Sequence, residues 1–160
     1  MDDTQATGGT AGDRDLAEAL CARVAEADAS GTPIRIAGGG TKAFYGRPVD
    51  AEELDLTGHR GITHYDPVEL VVSVRAGTPL RELEDVLAAA GQQLAFEPPH
   101  FGPGATVGGM IATGISGPRR PWTGAARDFV LGIRVITHEG RQLRFGGEVM
   151  KNVAGYDLSR

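Results

Sequence analysis

Glycine is the residue that most constrains how this chain folds, because it fills 24 of the 160 positions, about twice its usual share in globular proteins. The glycines cluster, most densely at residues 38–40 and within 97–124, instead of recurring at every third position as they do in collagen. Glycine and proline interrupt helices and strands, so these two segments are expected to be mostly loops between short regular elements. The apolar content of the chain suffices for one globular domain with a small core.

The charge balance and the sparse metal-binding residues exclude several functional classes. The formal net charge is −5, whereas a domain that binds nucleic acid is usually basic. The single cysteine, Cys21, cannot form an internal disulfide, and the four histidines lack metal-ligand spacing. No apolar run reaches the roughly 20 residues of a transmembrane helix, and no secretory signal is visible. We therefore expect a cytoplasmic protein without nucleic acid or metal, with a loose tail over residues 1–12 and one domain over 13–160.

Hydrophobic patterning predicts short helices and strands in an irregular order. One amphipathic helix is expected between Asp13, as N-cap, and Ser30, and a second follows Thr78, as N-cap, and Pro79. A short helix is predicted over residues 106–112. Strands are predicted at 33–37, 54–56, 62–65, 70–74 (buried), 93–96, 129–137 and 141–145, the last two forming a hairpin. Because helices and strands neither repeat nor alternate strictly, the pattern indicates an α+β domain.

The first glycine segment has the composition of an anion-binding loop. Three glycines follow a predicted strand directly, which exposes backbone N–H groups without any Cβ to block a phosphate. Thr41 adds a hydroxyl group and Lys42 adds a positive charge. The alternative interpretation is a flexible connector after the strand.

A nicotinamide-binding Rossmann site is a weaker alternative for the same residues. Residues 38–43 fit the pattern G-x-G-x-x-G/A, and Asp55 follows at roughly the distance of a ribose-binding acid. That fingerprint requires a helix to begin within the glycines, but Gly46 and Pro48 interrupt any helix there. A Walker loop is excluded because no Gly-Lys-Ser/Thr sequence occurs.

The second glycine segment, residues 97–114, offers a further set of backbone donors. Thr106 is placed to begin a short helix, and helix N-termini favour anions. Two anion-binding loops in one small domain suit a dinucleotide with a diphosphate bridge better than a single phosphate. An ordinary glycine-rich surface loop is the alternative.

Four stretches together resemble a known family: RIAGGGTK (35–42), PPHFGPGATVGGMIATGISGPRR (98–120), DFVLGIRVI (128–136) and VMKNVAGYDLSR (149–160). They are similar to the PCMH-type FAD-binding domain of the vanillyl-alcohol oxidase superfamily. The continuation GPRRPW (117–122) resembles most the smaller FAD-binding subunits of bacterial glycolate oxidases. The resemblance implies two small α/β subdomains with FAD between them. It also implies that a later glycine segment and a cap domain are missing from this sequence.

The resemblance also implies which residues hold FAD. The pyrophosphate would lie on Gly38, Gly39, Gly40, Thr41 and Lys42. The diphosphate and flavin would be flanked by Pro98, Thr106, Gly108, Gly109, Ala112, Thr113 and Gly114, and the adenine would meet the backbone at Ile133 and Val135. Some relatives attach the flavin covalently through His or Cys, but residues 37–46 contain neither, and the second segment has only His100. Non-covalent FAD is therefore expected.

The function implied by the resemblance is oxidation of glycolate, or another small 2-hydroxy acid, to the 2-oxo acid through FAD. The partners would be a large flavin subunit and an iron–sulfur subunit, which would place the complex in the cytoplasm or peripherally on the inner face of the cell membrane. A subunit that holds FAD or assists assembly without catalysis is the alternative. The residues indicate no general acid or base.

Two surface features near the second segment have open interpretations. Arg119, Arg120 and Arg127 form either a basic patch or a solvated loop. Trp122, the only tryptophan, is either an interface anchor or a local packing residue.

Overall fold

The computed structural model describes residues 12–147. The helices are α1 (Ala17–Ser30), α2 (Leu80–Ala89), α3 (Val107–Thr113) and α4 (Arg120–Thr123), and a 3-10 turn covers Ala126–Phe129. The strands are β1 (Ile34–Ala37), β2 (Glu52–Asp55), β3 (Ile62–Asp66), β4 (Val71–Val74), β5 (Gly132–Ile136) and β6 (Gln142–Gly146). This mixture of short helices and strands confirms the predicted α+β class.

The strands of the described region pair as three two-stranded sheets. β1 runs parallel to β2, with Ile36 opposite Leu54, whereas β3–β4 and β5–β6 are antiparallel. Parallel strands need a crossover connection, and a helix usually supplies it. Here the crossover is residues 38–51, which form bends, turns and irregular chain without a helix, so the first glycine segment itself begins the connection between the two strands.

The core lies around α2 and supports the second glycine segment. Leu80, Leu83 and Leu87 recur on one face of α2 and are buried, as the sequence pattern predicts. They share a cluster with residues from β3, the second glycine segment and the residue before it, α3 and the 3-10 turn: Ile62, Phe96, Ala105, Val107, Met110 and Ala126. The Leu80 N–H also donates to the Ala105 carbonyl at 2.7 Å. The second segment is therefore held in place by apolar packing against the core and by a backbone hydrogen bond from α2.

The helix caps predicted at Asp13 and Thr78 are wrong, because these side chains bind partners elsewhere in the fold. α1 begins after Leu16, and Asp13 instead forms an ion pair with Arg75. α2 begins after Pro79, and the Thr78 hydroxyl instead accepts a hydrogen bond from the Gly61 N–H at 2.8 Å. The helix start predicted at Thr106 is confirmed, and the structure adds that the Thr106 hydroxyl accepts from the Gly109 N–H at the start of α3.

Three strand predictions also need correction. Residues 93–96 are not a strand: the Glu97 N–H donates to the Leu94 carbonyl in a turn, and Phe96 enters the core. The strand predicted at 129–137 begins only at Gly132, because the 3-10 turn occupies its first residue. β4 is half-buried instead of buried and begins after Leu70, whose φ is +59°.

Candidate functional site

The structure brings the two glycine segments into direct contact. We call residues 38–44 the first loop and residues 97–106 the second loop. A Cβ on Gly39 would lie 1.6 Å from the Gly104 carbonyl oxygen, and one on Gly38 would lie 2.6 Å from the Thr106 hydroxyl oxygen. A Cβ on Gly102 would lie 3.3 Å from the Thr41 methyl carbon. Glycine is therefore required at 38 and 39 because the loops approach one another more closely than side chains allow.

The first loop presents a row of unpaired backbone donors. Its own hydrogen bonds close two turns, from the Ala43 N–H to the Gly40 carbonyl and from the Tyr45 N–H to the Lys42 carbonyl. Between residues 12 and 147, no group accepts a hydrogen bond from the N–H groups of residues 39–42. A Cβ on Gly40 would meet nothing within 4 Å, so the loop is open at this residue. Successive unpaired N–H groups of this kind suit an anion.

The start of α3 is arranged differently. The Val107 N–H donates to the Thr78 carbonyl at 2.9 Å, the Gly108 N–H donates to the Ala76 carbonyl at 2.7 Å, and the Gly109 N–H donates to the Thr106 hydroxyl. These amides already have acceptors within the protein. A Cβ on Gly108 would lie 2.8 Å from the Ala76 Cβ, so this glycine allows close packing of α3. The geometry favours the first loop over this helix N-terminus as the source of phosphate donors.

The other predicted site residues lie around α3, in the second loop and on β5. Ala112 is exposed, the Thr113 hydroxyl donates to the Gly109 carbonyl at 2.9 Å, and Gly114 ends α3 in the left-handed conformation. Pro98 is buried and lines a hollow of about 340 Å³, whose lining residues include none from the first loop. Their role in binding FAD stays a prediction.

The two predicted adenine contacts belong to a different part of the structure. Ile133 is paired with Phe145 and Val135 with Leu143 in the β5–β6 hairpin. That hairpin packs on α1, where a Cβ on Gly140 would lie 2.4 Å from the Cys21 carbonyl oxygen. The adenine assignment also stays a prediction.

Two aromatic residues that the sequence analysis did not single out connect the loops. The Phe44 and Phe101 rings meet edge to face, with centroids 5.2 Å apart and planes at 74°. The Lys42 ammonium nitrogen lies 5.8 Å from the centroid of the Phe101 ring. Partial burial lowers the pKa of Lys42, because it removes water from the charged form. The only sequence signal was position: Phe44 follows the first glycine run closely, and Phe101 lies within the second glycine segment.

Two ionisable side chains of the second loop contact ionisable partners on other segments. His100 Nε2 lies 2.9 Å from Glu84 Oε2 on α2, and Arg119 Nε lies 3.0 Å from Glu97 Oε1. Trp122 is 83% exposed, so the interpretation as a local packing residue is wrong, whereas its role as an interface anchor stays a prediction. No cluster of metal-ligating side chains occurs within residues 12–147, and no helix among them is long and apolar enough to cross a membrane.

The turn geometry after β1 decides between the two dinucleotide interpretations. Residues 38–46 form bends and turns, so no helix begins within the glycines, as a Rossmann site would require. The family model for the FAD-binding domain matches residues 16–146. The chain belongs to this FAD-binding domain family. Its cofactor is FAD, as the sequence analysis predicted. The segment 149–160, which also carried the resemblance, lies outside the described residues.

Two curated relatives are an oxidase subunit and a dehydrogenase that are named for hydroxy acids. The chain is 59% identical over 146 residues to glycolate oxidase subunit GlcE of Escherichia coli K12, covering 91% of this chain and 42% of that protein. It is 38% identical over 129 residues to D-lactate dehydrogenase of Archaeoglobus fulgidus, covering 79% of this chain and 28% of that protein. The chain thus spans less than half the length of these two relatives.

Solved structures share the fold at low sequence identity. 6-Hydroxy-D-nicotine oxidase from Arthrobacter nicotinovorans matches 81% of this chain and 28% of its own, with a TM-score of 0.67 and 23% identity. An alkyldihydroxyacetonephosphate synthase matches 88% of this chain and 26% of its own, with a TM-score of 0.68 and 23% identity. These likenesses confirm the predicted PCMH-type α+β fold.

Proposed function

We propose that this chain is the FAD-binding part of a glycolate oxidase complex, in which FAD oxidises glycolate to glyoxylate. The observation that carries the proposal is the first loop, where the N–H groups of residues 39–42 are unpaired and Lys42 adds a positive charge. The high identity to a subunit named for glycolate oxidation supports the substrate class.

The residues of the first loop fit the diphosphate of FAD. A diphosphate needs several hydrogen-bond donors, positive charge and close backbone approach. Here the amides of residues 39–42 supply donors, and Lys42 supplies the charge. Gly40 leaves space, since nothing lies within 4 Å of the position that its Cβ would take. The contact between Gly39 and Gly104 keeps the second loop beside this row.

The described side chains would bind and orient the cofactor. Lys42 would neutralise part of the diphosphate charge, and the Thr41 hydroxyl would add one donor. When bound, FAD would supply the oxidising chemistry, as the hydride acceptor for a 2-hydroxy acid. We assign no catalytic residue in this chain.

The complex would contain a large flavin subunit and an iron–sulfur subunit, and these would receive the electrons. A relative named glycolate oxidase subunit GlcD, from Bacillus subtilis, is 33% identical over 131 residues, which supports a system with more than one flavin-binding chain. We place the complex in the cytoplasm or peripherally on the inner face of the cell membrane, attached through its partner subunits.

A second candidate function is to hold FAD or assist assembly without oxidising the substrate. The contacts of the two ionisable side chains of the second loop are compatible with this alternative. Glu97 contacts Arg119 and His100 contacts Glu84, so each has a partner within the protein, and we assign neither a catalytic role. In this case the partner flavin subunit would perform the reaction.

Purification with and without the partner subunits tests both functions. We expect the protein to carry a flavin absorbance spectrum and the complete complex to oxidise glycolate. A variant with Lys42→Met and Thr41→Val that empties this flavin site and abolishes activity would support a catalytic cofactor. Unchanged activity in a complex that lacks flavin only at this site would favour the assembly role, and NAD in place of flavin would contradict both.

A further inference from the structure

The two loops run side by side in opposite directions, and contacts continue along their whole shared length. Gly38 adjoins Thr106, and Gly39 adjoins Gly104. Further along, Thr41 adjoins Gly102, and Phe44 meets Phe101. The loops are therefore in contact at both ends: near Gly38 and Gly39 through close packing of the backbone, and near Phe44 through an aromatic contact. The unpaired amides of residues 39–42 lie between the two ends in sequence.

Core packing does not explain the aromatic contact. Phe44 is 67% exposed and Phe101 is 54% exposed, so most of each side chain stays in contact with water. Yet the ring centroids are 5.2 Å apart in an edge-to-face arrangement, which is a favourable geometry for two aromatic rings. Because this exposed aromatic pair joins two loops and lies outside the core cluster, we infer that it fixes the position of one loop relative to the other.

The backbone at Phe101 supports the same interpretation. Its φ is +55°, a left-handed conformation that is unfavourable for a residue with a bulky side chain. Such backbone strain persists only where surrounding contacts maintain it, and it is concentrated at ligand-binding sites. In this conformation the Phe101 ring reaches both Phe44 and the Lys42 ammonium.

We propose that Phe44 and Phe101 form an aromatic clasp that positions Lys42 and the first-loop amides for a diphosphate-bearing nucleotide. This inference rests on the proposed placement of the FAD diphosphate on the first loop. The Phe101 ring lies within the range of a cation–π interaction with Lys42, so it restricts where the ammonium group can go. The clasp reduces the freedom that the two loops lose when the ligand binds, and it thereby increases affinity. Phe101 is a positioning residue, because it acts through Lys42 and the amides.

Ligand titration of Phe101→Ala tests the clasp. We expect the Kd values for FAD and for ADP, a probe with the diphosphate but no flavin, each to rise about tenfold, which equals about 1.4 kcal/mol. Phe101→Tyr should restore both affinities. Tyr45→Ala is the matched control, since Tyr45 is a neighbouring aromatic residue, 60% exposed, whose ring joins no aromatic contact in the described region. Its Kd values should stay within about twofold of wild type, a change of about 0.4 kcal/mol.

A double-mutant cycle separates positioning from a merely structural effect. If Phe101 acts through Lys42, Phe101→Ala should weaken ADP binding much less in a Lys42→Met background than in the wild type. Equal effects in both backgrounds would overturn the proposal. A rise in the Kd of FAD without any rise for ADP would also overturn it, because the ring would then contact the flavin.

The remaining outcomes distinguish a failure of the clasp from a failure of the proposed function. Absence of FAD binding by the wild-type protein contradicts the proposed function and, with it, the clasp. Wild-type FAD binding with unchanged affinities in Phe101→Ala contradicts the clasp alone. If Phe101→Ala loses its folded circular dichroism spectrum, Phe44→Ala removes the same ring contact from the other loop, and the same tenfold rise is expected.

Discussion

At the scale of single residues, the need for glycine at position 39 has a different physical reason from the one that the sequence motif indicates. The glycine run predicts that a ligand approaches the backbone at this position. In the structure the space where its Cβ would stand is taken by the Gly104 carbonyl of the second loop. Binding of FAD by Gly39 stays a prediction, but the requirement for glycine already follows from contact between the loops.

The first prediction compares two neighbouring glycines. In Gly39→Ala the new Cβ meets a backbone carbonyl, so the loops must separate, and we expect a loss of about 1–3 kcal/mol in unfolding free energy. Gly40→Ala is the control: its Cβ meets nothing within 4 Å, but its φ of +69° costs about 1 kcal/mol. Urea denaturation of both variants measures the difference. The explanation fails if Gly39→Ala is no less stable than Gly40→Ala.

The second prediction concerns the pH dependence caused by Lys42. Burial lowers its pKa below the usual value of 10.5 in the folded protein, so its protonation is disfavoured there relative to the unfolded chain. Between the two pKa values the unfolded chain binds more protons, and this residue's contribution to stability therefore rises with pH. The charged form attracts the diphosphate, so FAD affinity should fall as pH rises through the lowered pKa.

Titration of FAD between neutral and alkaline pH measures this fall in affinity. Lys42→Arg keeps its charge over the whole range and should retain its affinity at alkaline pH. Lys42→Met should bind more weakly at neutral pH, with no further loss as the pH rises. Parallel pH profiles for the wild type and Lys42→Met would show that another group controls binding.

At the scale of elements, the sequence predicts those structures that local periodicity specifies. The apolar stripe of α2, the start of α3 at Thr106, and the β5–β6 hairpin are all confirmed. Each depends on neighbours within a few residues: helical spacing, a capping hydroxyl, or a turn between two alternating segments.

The parts that could not be predicted depend on residues far apart in the chain. A strand at 93–96 would need a partner strand, and instead the Phe96 carbonyl accepts from the Gly117 N–H. The contact between Phe44 and Phe101 likewise joins two segments that are far apart in the chain, and the local sequence of each does not indicate that they are close in space. The glycine segments were recognisable as a candidate site, but their mutual geometry arises from the core beneath the second loop.

The third prediction concerns the connection between β3 and α2. Thr78 is 0% exposed, and its hydroxyl accepts from the Gly61 N–H and donates to the Gly61 carbonyl. Thr78→Val leaves this buried N–H without a partner, which costs about 1–3 kcal/mol. Thr78→Ser keeps the hydroxyl and should lose less. Chemical denaturation of both variants decides the question, and equal losses would assign the effect to packing instead of hydrogen bonding.

At the scale of the whole molecule, the loops form a binding surface without an obvious covalent anchor. Cys21 lies on α1, where the β5–β6 hairpin packs, and His100 is the only histidine in the second loop. Its Nε2 atom is held by Glu84 at 2.9 Å, which favours a structural role for the imidazole over attachment to flavin. The first loop contains neither Cys nor His.

The fourth prediction follows from this arrangement: FAD is held by non-covalent contacts and leaves when the fold is lost. Acid precipitation unfolds the protein, so the loops separate and the first-loop amides no longer point to one site. The protein then has no site that retains the diphosphate. We expect all flavin absorbance in the supernatant and none in the protein pellet. A His100→Ala variant serves as the control, because it should retain bound flavin in the native state and release it in the same way. Flavin that stays with the wild-type pellet but not with the His100→Ala pellet would show covalent attachment at His100, and the second loop would then bind the flavin ring directly.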